Sequence, residues 1–399
     1  MRSGLRVRKD TLSIWGYLLL LFPHIFPVGI QHLYSLNSVV FRTTVLSSII
    51  IIVIYIVNIV NGTKKINELV GLSALFSLYL ILITAIKGQA VYRSITYAVA
   101  FWAEILWADL FVHRFRIRGI SSLTKLTALY AIINTVFLVV SPEFFGAEVS
   151  YRRYCFISND NSLLPFLMPS MIINLVYLEL AGKRERIMSF FLVFLIYGLS
   201  IYITWTGTGV ILFTLFIILA LLRRTRIWKF LSVTKAVFIS AVSVFLFVRF
   251  RIQDYFVQLF SVVQKDMTFS GRTTIWALGL ELIKGSWLFG SGMTESDLLF
   301  SIGSTRDFTA HNQFLQFIIW GGVILLFLYF LMIFTAYKGM YKRENAVSEK
   351  IKMYSNLGLF AMLYYYVFEV HNSAPMFLIM LVIVYYLNML NCNSVYEKY

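Results

Sequence analysis

The chain has 399 residues, of which 59% are hydrophobic and 14% are charged, and its mean hydropathy is +0.78. Soluble domains contain fewer apolar and more charged residues, so the composition predicts an integral membrane protein. The formal net charge of +16 does not predict a nucleic-acid partner, because Lys and Arg are clustered between apolar runs, where they determine membrane topology. Cys155 and Cys392 are too few for a disulfide framework, and no Cys/His spacing is typical of a metal site. We therefore expect no metal and no cofactor.

Apolar runs that could cross a bilayer recur along the whole chain. A spanning helix needs about 20 mainly apolar residues, because its backbone polar groups must be satisfied inside the lipid. Twelve candidate runs lie at residues 12–32, 38–60, 68–86, 95–112, 120–141, 162–181, 187–205, 208–222, 231–250, 314–337, 353–370 and 375–391. The predicted fold is an all-α polytopic bundle of about twelve transmembrane helices. We expect the first run to be retained, since it is long, contains Pro23 and Pro27, and lacks a small-residue cleavage site.

Positive charge collects in alternate connections between these runs. Loops rich in Lys and Arg stay in the cytoplasm. If the N-terminus is inside, 23 Lys and Arg residues lie on the cytoplasmic side and 10 lie outside. The pattern predicts cytoplasmic N- and C-termini and a long outer loop at residues 251–313. We expect one integrated domain with a nine-helix part at 1–250, this loop, and a three-helix part at 314–399. Long loops usually carry function.

The outer loop contains an ordered set of short motifs. It reads GRTTIW from Gly271, LFGSG from Leu288 and AHNQFL from Ala310, and a Gly321-Gly322 pair follows in the next span. Residues 275–287 are mainly apolar and are interrupted by Glu281 and Lys284, which predicts an amphipathic helix at the membrane surface or over a cavity.

This order of motifs resembles the O-antigen ligase and polysaccharide polymerase family of bacterial envelopes. The likeness covers residues 249–322 most closely and the rest of the chain only in its layout of spans. It implies an inverting, metal-independent glycosyltransferase on the outer face of the bacterial cytoplasmic membrane. The donor would be an undecaprenyl-diphosphate-linked oligosaccharide, and the partners would include the lipid bilayer and the flippase and chain-length regulator of the same pathway.

The resemblance implies a catalytic role for His311 and diphosphate binding by Arg272. The residue types support these roles, because a histidine can accept a proton at neutral pH and an arginine fork binds two phosphate oxygens without a metal. Each residue also has a structural interpretation. Arg272 could extend to the headgroup level beside an interfacial helix, and the pair His311-Asn312 could cap the following span.

Other polar residues on the outer side are weaker candidates. The further arginines predicted to bind the diphosphate are Arg249, Arg251, Arg152 and Arg153. The candidate site-lining residues are Asn312, His371, Asn372, Thr206 and Thr208. The alternative role for the arginines is to anchor the protein at the membrane interface. The alternative for the second His-Asn pair, His371-Asn372, is a turn between two helices.

One outer turn departs from the family pattern. Many members carry an arginine between two middle spans that also helps to hold the diphosphate, whereas residues 204–209 here read TWTGTG. Hydroxyl groups and exposed amides of a Gly-rich turn can bind phosphate oxygens, and Arg249, Arg251 or Arg152 is a candidate substitute for the missing cation.

The favoured function is a polymerase of lipid-linked repeat units for an O-antigen or a capsule. The first alternative is a ligase that transfers finished glycan to a different acceptor; the motifs do not separate the two, and the missing arginine favours the polymerase. The second alternative is a transporter of lipid-linked sugars, in which Glu104 and Asp109 would form a path through the bundle. The chain lacks the internal repeat expected of such transporters, and we expect both acids to meet cations within the bundle, Asp109 near Arg114.

Overall fold

A computed structural model of the protein describes residues 2–145, 154–159, 162–182, 187–222, 232–252, 272–294, 300–301, 307–341, 347–371 and 374–394. The α-helices in chain order are α1 (Arg2–Leu21), α2 (Val28–Leu33), α3 (Asn37–Val60), α4 (Glu68–Ile86), α5 (Val91–Val140), α6 (Leu164–Leu180), α7 (Ile187–Thr204), α8 (Gly207–Leu221), α9 (Val233–Val244), α10 (Arg272–Ile283), α11 (Gln313–Tyr341), α12 (Glu349–Phe368), α13 (Pro375–Tyr385) and α14 (Leu387–Ser394). A π-helical turn, Phe245–Arg249, extends α9. Two short strands, β1 (Phe300–Ser301) and β2 (Asp307–Phe308), pair antiparallel.

The helices have the length and composition of membrane spans. Helices α3, α4, α5 and α11 are each long and apolar enough to cross a bilayer, and five shorter apolar helices accompany them within the described residues. The predicted helical membrane protein is therefore confirmed. The number of twelve spans, the outer position of the loop and the division into three parts stay predictions.

The first predicted span, 12–32, is not a single helix. Helix α1 ends at Leu21, a 3-10 turn follows at Phe22–Ile25, and the short α2 begins at Val28. Pro23 and Pro27 cause the interruption, because proline lacks the backbone N–H that a continuous helix needs.

Helix α5 joins the fourth and fifth predicted spans without a loop. A straight helix of 50 residues would be about 75 Å long, far more than the roughly 30 Å of a hydrocarbon core. The helix breaks at Arg116, where φ is 48° and ψ is −135°. The cytoplasmic connection expected between 112 and 120 is therefore reduced to this backbone break.

Helix α11 contains the candidate span predicted at 314–337, but it is not one straight helix. The backbone leaves the helical region at Gly322, where φ is 69° and ψ is −171°. The ring centroids of Phe314 and Phe330 lie 5.5 Å apart, although sixteen residues of straight helix would separate them by about 24 Å. The chain therefore reverses at Gly322, and a short arm (313–321) runs back along a long arm (323–341).

The segment 286–292 satisfies backbone groups that this reversal leaves free. Trp287 O accepts a hydrogen bond from Val323 N at 2.9 Å, and Gly292 N donates to Trp320 O at 2.9 Å. Backbone polar groups within a membrane protein need such partners wherever a helix is interrupted. The LFGSG motif and the glycine pair thus form one packed unit.

Helix α10 packs against the short arm of α11. Ile275, Trp276 and Gly279 are buried, and a Cβ atom on Gly279 would lie 2.7 Å from the Leu315 side chain. The opposite face carries Glu281, paired with the exposed Lys284 at 2.6 Å. Helix α10 covers most of the stretch 275–287 predicted as an amphipathic helix and buries one face against the protein, while Leu278 and Leu282 are exposed. Its position at the membrane surface or over a cavity stays a prediction.

Helix α13 lies at the centre of the bundle, since every residue from 376 to 384 is buried. A helix that is apolar all round is typical of a core position. Because α12 is also largely buried, the connection from Glu369 to Ala374 begins and ends among packed helices. This connection carries two of the residues discussed below.

A buried ion pair joins α5 to the connection between α3 and α4. Lys64 Nζ lies 2.8 Å from Asp109 Oδ2, and the two side chains are 5% and 1% exposed. Asp109 also accepts hydrogen bonds from Tyr55, Asn67 and Tyr386. Asp109 therefore meets a cation as expected, but the cation is Lys64 instead of Arg114.

Glu104 lies in a second buried pair on the same helix. Its Oε1 is 3.1 Å from His24 Nδ1, in the 3-10 turn that interrupts the first span. Ser48 Oγ lies 3.5 Å from the other ring nitrogen of His24. Both acids proposed for a transport path are thus held by partners within the described bundle.

Candidate active site

Three ionisable side chains from separate parts of the chain meet at one place. Arg272 lies at the first turn of α10, His311 precedes the short arm of α11, and Glu369 follows α12. Arg272 Nη2 donates to Glu369 Oε1, and Nη1 donates to Phe368 O at 2.7 Å. His311 Nδ1 lies 3.6 Å from Glu369 Oε2. Glu369 therefore turns one carboxylate oxygen toward each of the two residues that the motifs had singled out.

Local backbone geometry orients these side chains. His311 has a φ of 44°, in the left-handed region that few non-glycine residues adopt. The next residue, Asn312, is the N-terminal cap of the short arm: its Oδ1 accepts from Leu315 N and its Nδ2 donates to Val367 O, both at 2.8 Å. Asn312 is fully buried, so it fixes the position of His311 and does not line an open site.

Glu369 balances the charge of a helix N-terminus that bears a cation. An arginine in the first turn opposes the helix dipole, and a neighbouring carboxylate offsets this cost. Burial raises the pKa of the Glu369 carboxyl, but the positive charge of Arg272 and the approach of His311 outweigh it, so that the pKa lies below its ordinary value. Glu369 is therefore an anion at neutral pH.

The site is narrow but accessible. The side chains of Arg272, Glu369 and His311 are 16%, 11% and 21% exposed, respectively. Arg272 uses two of its five N–H groups on Phe368 and Glu369, which leaves three for a ligand among the described contacts. His311 Nδ1 forms no hydrogen bond to any described residue. The arrangement can bind an anion at Arg272 and accept a proton at His311.

Two of the other predicted cations, Arg249 and Arg251, follow α9. Phe247 lies beside Phe368, with ring centroids 5.1 Å apart, which brings the π-helical turn ending at Arg249 close to the end of α12. Arg251 follows with a φ of 50°. The roles of both arginines in diphosphate binding stay predictions. Arg152, Arg153 and Asn372 lie outside the described residues.

Thr206 and Thr208 lie at the turn between α7 and α8. Trp205 has a φ of 52° and is exposed, and Thr206 begins α8 by accepting a hydrogen bond from Val210 N through its carbonyl oxygen at 2.8 Å. The described contacts do not connect this turn with Arg272 or His311. A phosphate-binding role for the turn stays a prediction.

His371 lies two residues beyond Glu369 and is held through its backbone. Its N–H donates to Gln313 Oε1 at 2.8 Å, which ties the segment after α12 to the short arm. Burial lowers the pKa of the His371 imidazole to about 4, and the negative charge of Glu369 opposes this shift only in part. His371 is therefore neutral at physiological pH.

Sequence reasoning identified Arg272 and His311 and missed Glu369. Glu369 lies two residues before His371 and outside the motifs of the outer loop. The available signal was the need of a partly buried arginine for a counterion. The described residues contain no group of three or more His, Cys, Asp or Glu side chains that could hold a metal ion.

Comparison with known proteins agrees with the motifs. Residues 190–330 match the family model described as O-Antigen ligase, a stretch that includes Arg272 and His311. A 90-residue segment is 37% identical to the exopolysaccharide production protein ExoQ of Rhizobium meliloti (strain 1021), covering 20% of this chain and 21% of that protein. No solved structure matches the chain.

The helical bundle is that of a membrane protein, and the matched region is similar to an O-antigen ligase domain and to an exopolysaccharide production protein. Residues 190–330 therefore resemble the O-antigen ligase family, and the resemblance inferred from the motifs is confirmed. Glu369 and His371 lie beyond the matched residues.

Proposed function

We propose that the protein is a membrane glycosyltransferase that polymerises lipid-diphosphate-linked repeat units of a bacterial surface polysaccharide. The observation that carries the proposal is the meeting of Arg272, Glu369 and His311, since such a reaction needs a cation for the departing diphosphate and a base for the acceptor. The name of the relative from R. meliloti, an exopolysaccharide production protein, supports glycan assembly as the setting.

The chemistry follows from the two ring nitrogens of His311. Glu369 Oε2 approaches Nδ1, which favours the tautomer with its proton on Nδ1 and leaves Nε2 to accept a proton. Nε2 takes the proton of the acceptor hydroxyl as its oxygen attacks the anomeric carbon. The bond from that carbon to the phosphate oxygen breaks, and the lipid diphosphate leaves as an anion.

Arg272 stabilises the leaving group. Its three remaining N–H groups can contact phosphate oxygens while Glu369 and Phe368 hold the guanidinium in place. Attack from the face opposite the diphosphate inverts the anomeric carbon. An arginine supplies the positive charge itself, so we expect the activity to survive EDTA; loss of activity with chelator and recovery with manganese would overturn this part of the proposal.

The setting follows from the topology predicted by Lys and Arg. We place the site on the outer face of the bacterial cytoplasmic membrane, with both termini inside. The donor is an undecaprenyl-diphosphate-linked oligosaccharide delivered by a flippase, and a chain-length regulator is the expected protein partner.

The experiment is reconstitution of the purified protein with lipid-diphosphate-linked repeat units as the only substrate. A ladder of products is expected from the wild type and not from His311→Ala, while His113→Ala, a change of an exposed histidine at the other end of the bundle, should retain the ladder. If the wild type gives no ladder but adds one glycan to a supplied lipid acceptor, the protein is a ligase.

A transport function gains no support from the buried acids. Glu104 and Asp109 are held by His24 and by Lys64. We expect Glu104→Gln to retain glycan transfer in the reconstituted system. If the wild type transfers glycan to no acceptor but moves lipid-linked sugar across the membrane, the protein is a transporter and not a glycosyltransferase.

A further inference from the structure

A small cavity lies beside the candidate active site, between the short arm of α11 and the start of α13. Six aromatic side chains, three of them tyrosines, form most of its wall, and Gln313 and His371 supply further polar atoms. Its volume of about 10 Å³ has room for a group the size of one water molecule or one hydroxyl. Gln313 is two residues from His311, and His371 is two residues from Glu369, so the cavity adjoins the three-residue site.

The Gln313 amide has a fixed orientation and an unused donor. Its side chain is buried, and Oε1 accepts the hydrogen bond from His371 N at 2.8 Å. Because a backbone N–H can only donate, the atom that faces it must be the oxygen, so Nε2 occupies the other position. Nε2 has no hydrogen-bond partner among the described residues. A buried donor without an acceptor is unfavourable, which indicates that an oxygen atom belongs next to it.

The lining favours an uncharged oxygen over an anion. Glu369 is a nearby carboxylate and the aromatic wall offers no cation, so a phosphate would be repelled and poorly solvated. A hydroxyl can accept from Gln313 Nε2 and donate to a neutral imidazole or a tyrosine oxygen. Aromatic walls with a few placed polar groups are typical of sites for small neutral ligands.

We propose that this cavity is a subsite for the acceptor sugar and holds one of its hydroxyl groups beside the hydroxyl that His311 deprotonates. The subsite rests on the proposed glycosyl transfer and specifies where the acceptor binds. Gln313 is its hydrogen-bond donor, and the aromatic rings around it, among them Tyr97 and Tyr366, enclose the bound hydroxyl.

Two variants test the subsite by different routes. Gln313→Met removes the amide donor at nearly constant length, and Ala374→Val fills the cavity without touching the bond between Gln313 and His371. The control is Ala361→Val, which adds the same two carbons at a buried position on α12 that does not line the cavity. The acceptor probe is a lipid-free oligosaccharide of one repeat unit, titrated at saturating lipid-linked donor in reconstituted membranes.

Both cavity variants should raise the KM for the oligosaccharide by about fivefold, the loss expected for one hydrogen bond, while the KM for the donor changes less than twofold. The control should change neither constant. Failure of the wild type to use any acceptor would contradict the proposed function itself. If the wild type is active and the acceptor KM is unchanged in both cavity variants, the subsite is refuted. It is also refuted if the variants change hydrolysis of the donor in the absence of acceptor as much as they change transfer, because the cavity would then hold water.

Discussion

Replacing Glu369 by Gln removes the charge that joins Arg272 to His311 and changes the side chain little in size. At the 3.6 Å that separates His311 Nδ1 from Glu369 Oε2, the attraction between a protonated imidazole and the carboxylate is about 1 kcal/mol in bulk water and about 5 kcal/mol at an effective dielectric constant of about 20. The site is only slightly exposed, so an intermediate value of about 1.5–3 kcal/mol applies. Because each 1.36 kcal/mol is a factor of ten, kcat should fall by about 10- to 100-fold.

The assay is glycan transfer by the reconstituted protein at saturating donor, with thermal unfolding measured on the same preparation. Glu281→Gln is the matched control, since it breaks an exposed pair with Lys284 on the outer face of α10 and should cost less than about 1 kcal/mol. Glu369→Gln should lower kcat far more than Glu281→Gln does. A folded Glu369→Gln protein with kcat within twofold of the wild type would refute the role of the carboxylate.

Three further predictions concern stability, measured by thermal unfolding in detergent or nanodiscs. Gly322→Ala should lose about 1–3 kcal/mol or more, because φ is 69° and a Cβ atom would lie 2.0 Å from Leu288 O; Gly71→Ala, in an open helical position, should not destabilise. Asp109→Asn should cost about 3–5 kcal/mol by leaving Lys64 buried and unpaired, and a change below about 1 kcal/mol would contradict this. The pKa of His371 is lowered to about 4, so the unfolded chain binds its proton first and the wild type should lose up to about 3 kcal/mol as pH falls from about 6.5 to 4. The His371→Gln protein should lose less stability over that range of pH. Equal losses in both proteins would argue against the lowered pKa of His371.

Local patterns predicted the helices and much of the candidate site. Apolar run length and positive charge predicted a helical membrane protein, and the spacing of short motifs identified Arg272 and His311 before any contact was known. Each of these signals comes from residues that are close together in the chain. The stretch that matches the O-antigen ligase family model contains the same motifs.

Long-range contacts explain what the sequence could not show. Hydropathy treats 314–337 as one continuous span, but the direction of the chain changes at Gly322 because the segment 286–292 supplies partners for the interrupted backbone. Glu369 belongs to the site only because α12 ends beside α10. Asp109 meets Lys64 for the same reason, since the connection that holds Lys64 folds in toward α5.

The backbone bonds between 286–292 and the turn at Gly322 also determine how this region can open. Neither segment keeps its hydrogen bonds when the other moves away, so the two should exchange their amide hydrogens as one cooperative unit. The short arm connects that unit to His311, which lies ten residues before the end of the arm. Opening of the turn at Gly322 would therefore release His311 from Glu369. The contact between these two residues should then last as long as the backbone hydrogen bonds at the other end of the short arm.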